Sequence, residues 1–205
     1  MQTRVIPSTG ERLPVIGCGT WQTFDVGDDA AARKPLAAVL RTLFAAGGSV
    51  IDSSPMYGRS EAVTGDLLAE TGAREKAFLA TKVWTRGREE GRRQIERSMK
   101  LMRADRLDLL QVHNLSDWTV QLATLRELKA AGRIRYIGVT HYTSGAYADL
   151  EAVMRGETLD FIQVNYSADD RTAEKRILPL AADRGMAVLI NLPFGGGGLL
   201  RRFRA

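Results

Sequence analysis

The chain has 205 residues, of which 44% are hydrophobic and 26% are charged. This composition is that of a globular chain with one substantial core, and it excludes a disordered tail or a small disulfide-stapled module. No run approaches the ~18 uncharged apolar residues of a membrane span, and the first residues lack the apolar segment of a signal peptide. The single cysteine, Cys18, cannot form an internal disulfide. We therefore expect no membrane partner and a cytoplasmic address, with a mature exported form left open.

The net charge is +5, from 29 lysines and arginines against 24 acidic residues. Arginines cluster between residues 86 and 103 and again between 201 and 204. A basic surface can hold nucleic acid or an anionic cofactor. The first cluster is interleaved with Glu89, Glu90 and Glu96 at helical spacing, and the chain has no run of stacking aromatics and no zinc or helix-turn-helix signature. We therefore predict a solvated helix face there and no nucleic-acid partner.

Short apolar runs typical of β-strands recur along the chain. They cover residues 15–19, 49–52, 77–82, 107–112, 134–139, 160–164 and 186–190. From the second run onwards their starts lie 26 to 30 residues apart, and helical patterns fill the intervals. Repeated alternation of strand and helix requires a parallel sheet with right-handed crossovers.

Two of the intervening helices carry recognisable end signals. Pro35 is typical of a first helical turn, and Gly47 with Gly48 of a helix stop. Ser116 is a candidate N-cap for the helix between the predicted strands at 107–112 and 134–139, and Gly132 would end that helix. These signals predict where the two helices start and finish.

Two architectures fit the alternation: the closed TIM (β/α)₈ barrel and the open doubly wound sheet. An open dinucleotide-binding sheet should carry G-x-G-x-x-G in its first turn, but the segment from Gly17 to Gln22 lacks the third glycine. We therefore favour an α/β fold of the TIM barrel type. At the observed spacing an eighth strand would begin roughly 27 residues after Met186, beyond Ala205. We expect residues 1–205 to form a single barrel domain with seven strands, incomplete at its C-terminal end.

The active sites of such barrels lie at the carboxyl ends of the strands, so the polar residues that close the apolar runs are informative. They are Asp52, Lys82, His113, Thr140, His141, Gln163 and Asn191, with Tyr57 in the turn after Asp52.

An acid, a lysine, a tyrosine and a histidine together favour proton transfer with Tyr57 as the acid. A free phenol has a pKa of about 10, and the ammonium group of Lys82 would lower it. Asp52 would keep Lys82 charged, while His113 would hydrogen-bond a substrate carbonyl oxygen. The structural alternatives are an ion pair between strands, an aromatic residue in a turn and a buried imidazole.

Two other kinds of site are poorly supported. The two histidines lie on different strands and Cys18 has no partner at ligand spacing, so no metal site is predicted. A Ser-His-Asp hydrolase is disfavoured because the G-x-S-x-G pattern does not occur.

Six sequence blocks form a joint pattern of high specificity. They are LPVIGCGTW (13–21), IDSSPMYG (51–58), TKVW (81–84), LDLLQVH (107–113), GRIRYIGV (132–139) and QVNY (163–166). In content and order the chain resembles the aldo-keto reductases, barrel enzymes that reduce aldehydes and ketones with NAD(P)H. The resemblance implies an oxidoreductase that uses NADPH, or NADH, and a small-molecule carbonyl substrate.

The resemblance also implies residue roles. Tyr57 is the general acid, Lys82 lowers its pKa, Asp52 pairs with Lys82, and His113 orients the carbonyl group. The cofactor positions implied are Thr20, Trp21, Asp52, Thr140, His141, Gln163, Asn191, Leu192 and Phe194. The substrate pocket implied is lined by Trp21, Tyr57, Trp84 and His113.

Three positions depart from the family pattern. Thr140-His141 stands where the family commonly has Ser-Asn, Asn191 stands where an aromatic ring stacks on the nicotinamide, and residues 195–198 are four glycines in the cofactor-covering loop. Two alternatives therefore stay open: a non-catalytic NADPH-binding or scaffolding protein of the same fold, and an inactive truncated fragment. Neither the particular substrate nor the oligomeric state is predicted.

Overall fold

A computed structural model describes residues 1–204. Its strands are β1 (Thr3–Val5), β2 (Arg12–Pro14), β3 (Cys18–Gly19), β4 (Val50–Asp52), β5 (Phe78–Val83), β6 (Leu107–His113), β7 (Ile134–Thr140), β8 (Phe161–Asn165) and β9 (Ala187–Asn191). Its α-helices are α1 (Ala30–Ala45), α2 (Ser60–Glu70), α3 (Arg88–Leu101), α4 (Trp118–Ala130), α5 (Tyr147–Gly156), α6 (Ile177–Asp183) and α7 (Gly198–Arg204). Short 3₁₀ helices cover Arg74–Lys76, Ser144–Ala146, Thr172–Lys175 and Gly195–Gly197.

Strands β3 to β9 form one parallel sheet in which the strand order follows the chain order. The sheet curls into a nearly closed barrel with helices outside it, so the predicted barrel with seven strands is confirmed. The last six predicted strands agree with the structure to within one residue at each end. The first, β3, is shorter than predicted because Val15 pairs instead with the amino-terminal hairpin, where its N–H donates to the Gln2 carbonyl oxygen at 3.1 Å.

Side chains alternate along each strand, so the sheet serves two separate cores. One lies between the sheet and the surrounding helices and contains most of the buried aliphatic residues. The other fills the barrel interior and consists of Ile6, Leu13, Val50, Phe78, Ala80, Leu109, Tyr136 and Phe161. Further along the same strands, towards their carboxyl ends, the inward positions become polar, with Lys82 paired in register with Gln111.

The antiparallel hairpin β1–β2 covers the amino ends of the barrel strands. Ile6 and Leu13 pack into the interior core from this side. The hydroxyl of Tyr136 donates to Glu11 and lies 2.8 Å from Thr9 Oγ1, which fixes the hairpin to β7. One end of the barrel is therefore sealed, and the carboxyl end is left for a site.

Two predicted helix starts are wrong. Helix α1 begins earlier than Pro35, because Asp29 caps it by accepting a hydrogen bond from the Ala31 N–H at 2.9 Å, and Pro35 lies inside the helix. Ser116 does not cap α4; the cap position is Asp117, whose backbone is left-handed. The predicted glycine stop of α1 is confirmed, because α1 ends at Ala45 and Gly47 has a φ of +82°.

Within residues 1–204, no helix is both long enough and apolar enough to cross a membrane.

Replacing Gly65 on α2 by alanine should destabilise the protein by about 1–3 kcal/mol. An added Cβ would lie 2.2 Å from the Leu101 carbonyl oxygen, so α2 and α3 would have to move apart. Gly156→Ala is the matched control, since no atom of the described residues lies within 4 Å of its Cβ position at the exposed end of α5. Chemical denaturation of both variants measures the difference, and equal free energies of unfolding would contradict the close packing.

Candidate active site

A cavity of about 1190 Å³ runs from the hairpin β1–β2, along the gap between β3 and β9, to the carboxyl ends of the strands. Most of the sequence-predicted residues line it. These are Thr20, Trp21, Asp52, Tyr57, Lys82, His113, Thr140, Gln163, Asn191, Leu192 and Phe194. The structure thus brings together residues that are up to 174 positions apart in the chain.

Lys82 forms the charged centre of the site. The residue lies on β5 and is 1% exposed, and its side chain points at the carboxylate of Asp52 on the neighbouring strand β4. Lys82 Nζ lies 2.9 Å from both carboxylate oxygens and 2.7 Å from the Ser53 carbonyl oxygen. An ammonium group has three protons, so these three acceptors satisfy it fully. Removing either partner would leave a buried charge unpaired, which is strongly unfavourable.

Tyr57 lies beside this pair, in the turn between β4 and α2. Lys82 Nζ is 5.1 Å from the centre of the phenol ring. Burial raises the pKa of Tyr57, the charge of Lys82 lowers it, and the charge of Asp52 raises it again, with a net result above the usual value. Lys82 thus acts on the pKa of Tyr57 in the direction predicted from the sequence, although burial outweighs its effect. The phenol stays protonated at neutral pH and can serve as a proton donor.

His113, at the end of β6, faces Tyr57 edge to face with a distance of 5.9 Å between the ring centres. Burial, and then the charge of Lys82, lower the pKa of His113 to about 3, so the imidazole is neutral. Its Nδ1 lies 2.9 Å from Ser54 Oγ, which also accepts a hydrogen bond from the Met56 N–H. When the Ser54 hydroxyl donates its proton to Nδ1, the ring proton of the neutral imidazole lies on Nε2.

Gln163 and Thr20 also form hydrogen bonds with Asp52. Gln163 Nε2 donates to Asp52 Oδ2 at 3.0 Å. Thr20 is fully buried, with its Oγ1 lying 3.1 Å from the Asp52 carbonyl oxygen and 2.9 Å from Ser53 Oγ. These contacts fix both the backbone and the carboxylate of Asp52.

Asn191, at the end of β9, contributes a polar atom without a partner. Its Nδ2 donates to the His141 carbonyl oxygen at 3.3 Å, while its Oδ1 is buried and accepts no hydrogen bond within the described residues. A buried acceptor left unsatisfied costs about 1–3 kcal/mol. Because Asn191 lines the cavity, its position suits a ligand that carries an N–H or O–H donor.

Two predicted residues do not line this cavity. Trp84 is 45% exposed, and its backbone N–H and carbonyl groups are bonded to the side-chain amide of Gln94. His141 turns its Nδ1 towards the backbone N–H groups of Tyr142 and Thr143. It borders a smaller cavity of about 470 Å³ beside α5.

Sequence reasoning missed Ser54 and Tyr142. Ser54 was visible within the block 51–58, but its partner His113 lies 59 residues away. Tyr142 directly follows a predicted site residue, and it joins Trp21 and Phe194 as an exposed aromatic residue at the cavity. An aromatic residue just past the end of a barrel strand was the signal available for it.

Within the described part of the chain, histidine, cysteine and acidic residues form no cluster of three or more that could hold a metal ion.

The chain is similar to a protein family and to several known proteins. Residues 15–205 match the family model described as the Aldo/keto reductase family. A methylglyoxal reductase of Escherichia coli, YeaE, is 34% identical, over 98% of this chain and 72% of its own length. An NADH-specific methylglyoxal reductase of the same organism is 29% identical, over 93% of this chain and 66% of its own length. The chain thus spans about two thirds to three quarters of the length of these two relatives.

A solved structure is also similar. An aldo/keto reductase from Klebsiella pneumoniae, in complex with NADP and acetate, superposes with a TM-score of 0.83. It is 28% identical in sequence, and the match covers 98% of this chain and 71% of that one.

The ring of His113 should remain neutral between pH 5 and pH 8. A pH titration of the histidine NMR signals measures this, and the His141→Asn variant identifies which signals belong to His113. An unfolded histidine takes up a proton below about pH 6.5. Folded His113 does so only near its pKa of about 3. The free energy of unfolding should therefore fall as the pH drops from about 6.5 towards 3, by at most about 1.4 kcal/mol per pH unit. A His113 signal that titrates near pH 6.5 would contradict this assignment.

Proposed function

This chain belongs to the aldo/keto reductase family, and we propose that it reduces an aldehyde or ketone to an alcohol with a nicotinamide dinucleotide. The observation that carries the proposal is the convergence of the Asp52–Lys82 pair, protonated Tyr57 and neutral His113 at one cavity. In such a site two neutral hydrogen-bond donors stand beside one fixed charge. That arrangement suits a reaction in which negative charge develops on an oxygen atom.

The lining of the cavity fits a nicotinamide ring with its carboxamide group. Asn191 Oδ1 offers an acceptor for the carboxamide N–H, while Thr140 and Gln163 provide polar groups on the neighbouring strands. Trp21 and Phe194, which are exposed and line the cavity, would contact the cofactor from the solvent side. When bound, the reduced nicotinamide supplies the hydride.

His113 and Tyr57 would act on the carbonyl oxygen of the substrate. The Nε2–H of His113 donates to that oxygen and fixes its position. As negative charge develops there, the oxygen becomes a far stronger base than a phenolate, so Tyr57 gives up its proton to it despite the raised pKa. Lys82 then stabilises the phenolate that forms, and Asp52 keeps Lys82 charged and in place.

NADPH is the cofactor we expect first, with NADH as the alternative. The net charge of +5 favours an anionic dinucleotide in general. The solved relative holds NADP, whereas one curated relative is NADH-specific. Methylglyoxal is the first substrate to test because both relatives described above are methylglyoxal reductases.

The purified protein should oxidise NADPH, measured by its absorbance, in the presence of methylglyoxal or an aromatic aldehyde. Parallel assays with NADH measure the cofactor preference. Tight NADPH binding without turnover of any carbonyl compound would instead favour the non-catalytic alternative. Absence of both binding and turnover would refute the proposal.

Tyr57→Phe should lower kcat by at least about 100-fold, because it removes the proton donor while keeping the ring. NADPH affinity, measured by fluorescence titration, should be unchanged. Tyr147→Phe is the matched control, since its hydroxyl bonds the Asn165 carbonyl oxygen at 3.0 Å and does not line the cavity. Full activity of the Tyr57 variant would exclude Tyr57 as the acid.

A further inference from the structure

Gln111 is a fully buried polar residue to which the proposed chemistry assigns no role. It lies on β6 beside Lys82, its partner in register on β5. Its Nε2 donates to Gln163 Oε1 at 3.4 Å, and its Oε1 has no hydrogen-bond partner within the described residues. A buried amide with one unsatisfied end calls for an explanation, because such groups are rare in folded proteins.

The hydrogen-bond direction through this region is fixed by Asp52. An ionised carboxylate only accepts hydrogen bonds, so Gln163 must turn its NH₂ group towards Asp52 Oδ2. Its Oε1 then faces the opposite way, towards Gln111. Gln111 must in turn present its own NH₂ group, and donation runs in one direction from Gln111 through Gln163 to Asp52.

The contact between the two glutamines crosses an intervening strand. Gln111 lies on β6 and Gln163 on β8, with β7 between them. The residue of β7 in register with Gln111 is Gly138, which has no side chain to separate them. A Cβ at Gly138 would also lie 2.6 Å from the Phe161 carbonyl oxygen. The packing of β7 against β8 therefore excludes any side chain at this position, and the space between the two glutamines stays open.

We propose that Gln111 is a positioning residue, which holds the side-chain amide of Gln163 in the one orientation that serves the cofactor carboxamide. The proposal rests on the function proposed above. Held at both ends, Gln163 keeps one N–H and one oxygen lone pair for a ligand in the cavity. Without Gln111, only the bond to Asp52 would orient this amide.

Because Oε1 of Gln111 has no hydrogen-bond partner within the described residues, a substitution can distinguish a positioning role from a stabilising one. A methionine of similar length would remove the unsatisfied oxygen together with the donor. If Gln111 served stability, Gln111→Met would lower the melting temperature. If it serves positioning, the melting temperature should stay equal or rise while cofactor binding weakens, as is common for residues kept for function.

The test measures NADPH binding and thermal unfolding of Gln111→Met in the purified protein. We expect the Kd for NADPH to rise about three- to tenfold, corresponding to the loss of one oriented hydrogen bond. The KM for NADPH should rise more than kcat falls. In the cofactor-free protein the ¹⁵N side-chain amide signals of Gln163, assigned with Gln163→Leu, should shift and broaden. Gln111→Leu provides a second variant should the methionine variant fail to fold.

Gln121 supplies the matched control. It too is fully buried, and its Oε1 has no hydrogen-bond partner in the part of the chain that the structure describes. Its Nε2, however, donates to the carbonyl oxygens of Thr85 and Gly87, away from the cavity. Gln121→Met should lower the melting temperature and leave the Kd for NADPH unchanged.

Three outcomes are distinguishable. Unchanged NADPH affinity and unchanged Gln163 signals in Gln111→Met would overturn the positioning role. That role is also overturned if both glutamine variants lose stability alike and bind NADPH equally well. If the unsubstituted protein binds no NADPH, the proposed function fails, whereas the amide signals of Gln163 still report whether Gln111 orients it.

Discussion

The burial of one ammonium group governs the rest of the site. Lys82 is removed from water on β5, and the cost of losing its hydration is offset only if three acceptors converge on it. Two of them come from the Asp52 carboxylate and the third is the Ser53 carbonyl oxygen. The acceptors belong to the last residue of β4 and the residue directly after it, so β4 and β5 must be in register and Asp52 must be held in place. Gln163 and Thr20 hold it, which extends the constraint to β8 and β3.

Burial acts in opposite directions on the pKa values of the two proton-bearing groups, with one common result. It raises the pKa of the Tyr57 phenol and lowers that of the His113 imidazole, so both stay uncharged near neutrality. The charge at the centre of the site is confined to the Asp52–Lys82 pair. A carbonyl oxygen in the cavity would thus meet two neutral donors and a fixed positive charge behind one of them. This is the electrostatic arrangement that the proposed reduction requires.

The strands could be predicted because each is an apolar run. The candidate site residues could be proposed because most of them close such a run, and the structure places most of them at one cavity. Other features depend on contacts between distant residues. The start of α1 is set by Asp29 rather than by Pro35, because the Asp29 side chain lies where it can accept a hydrogen bond from the Ala31 N–H. Whether the pKa of Tyr57 rises or falls depends on how burial and charge balance, and spacing does not show this. The pairs formed by Ser54 with His113 and by Gln111 with Gln163 arise only once the sheet curves.

The site divides its residues between two kinds of backbone. Asp52, Lys82, His113 and Gln163 lie within strands, where register with neighbouring strands fixes their positions. The exposed aromatic residues Trp21, Tyr142 and Phe194 lie on loops just beyond the strand ends. Substitutions in these loops can reshape the entrance without disturbing a single backbone pair of the sheet. Such substitutions can therefore alter which molecules enter the cavity while the residues assigned to the proposed chemistry are retained.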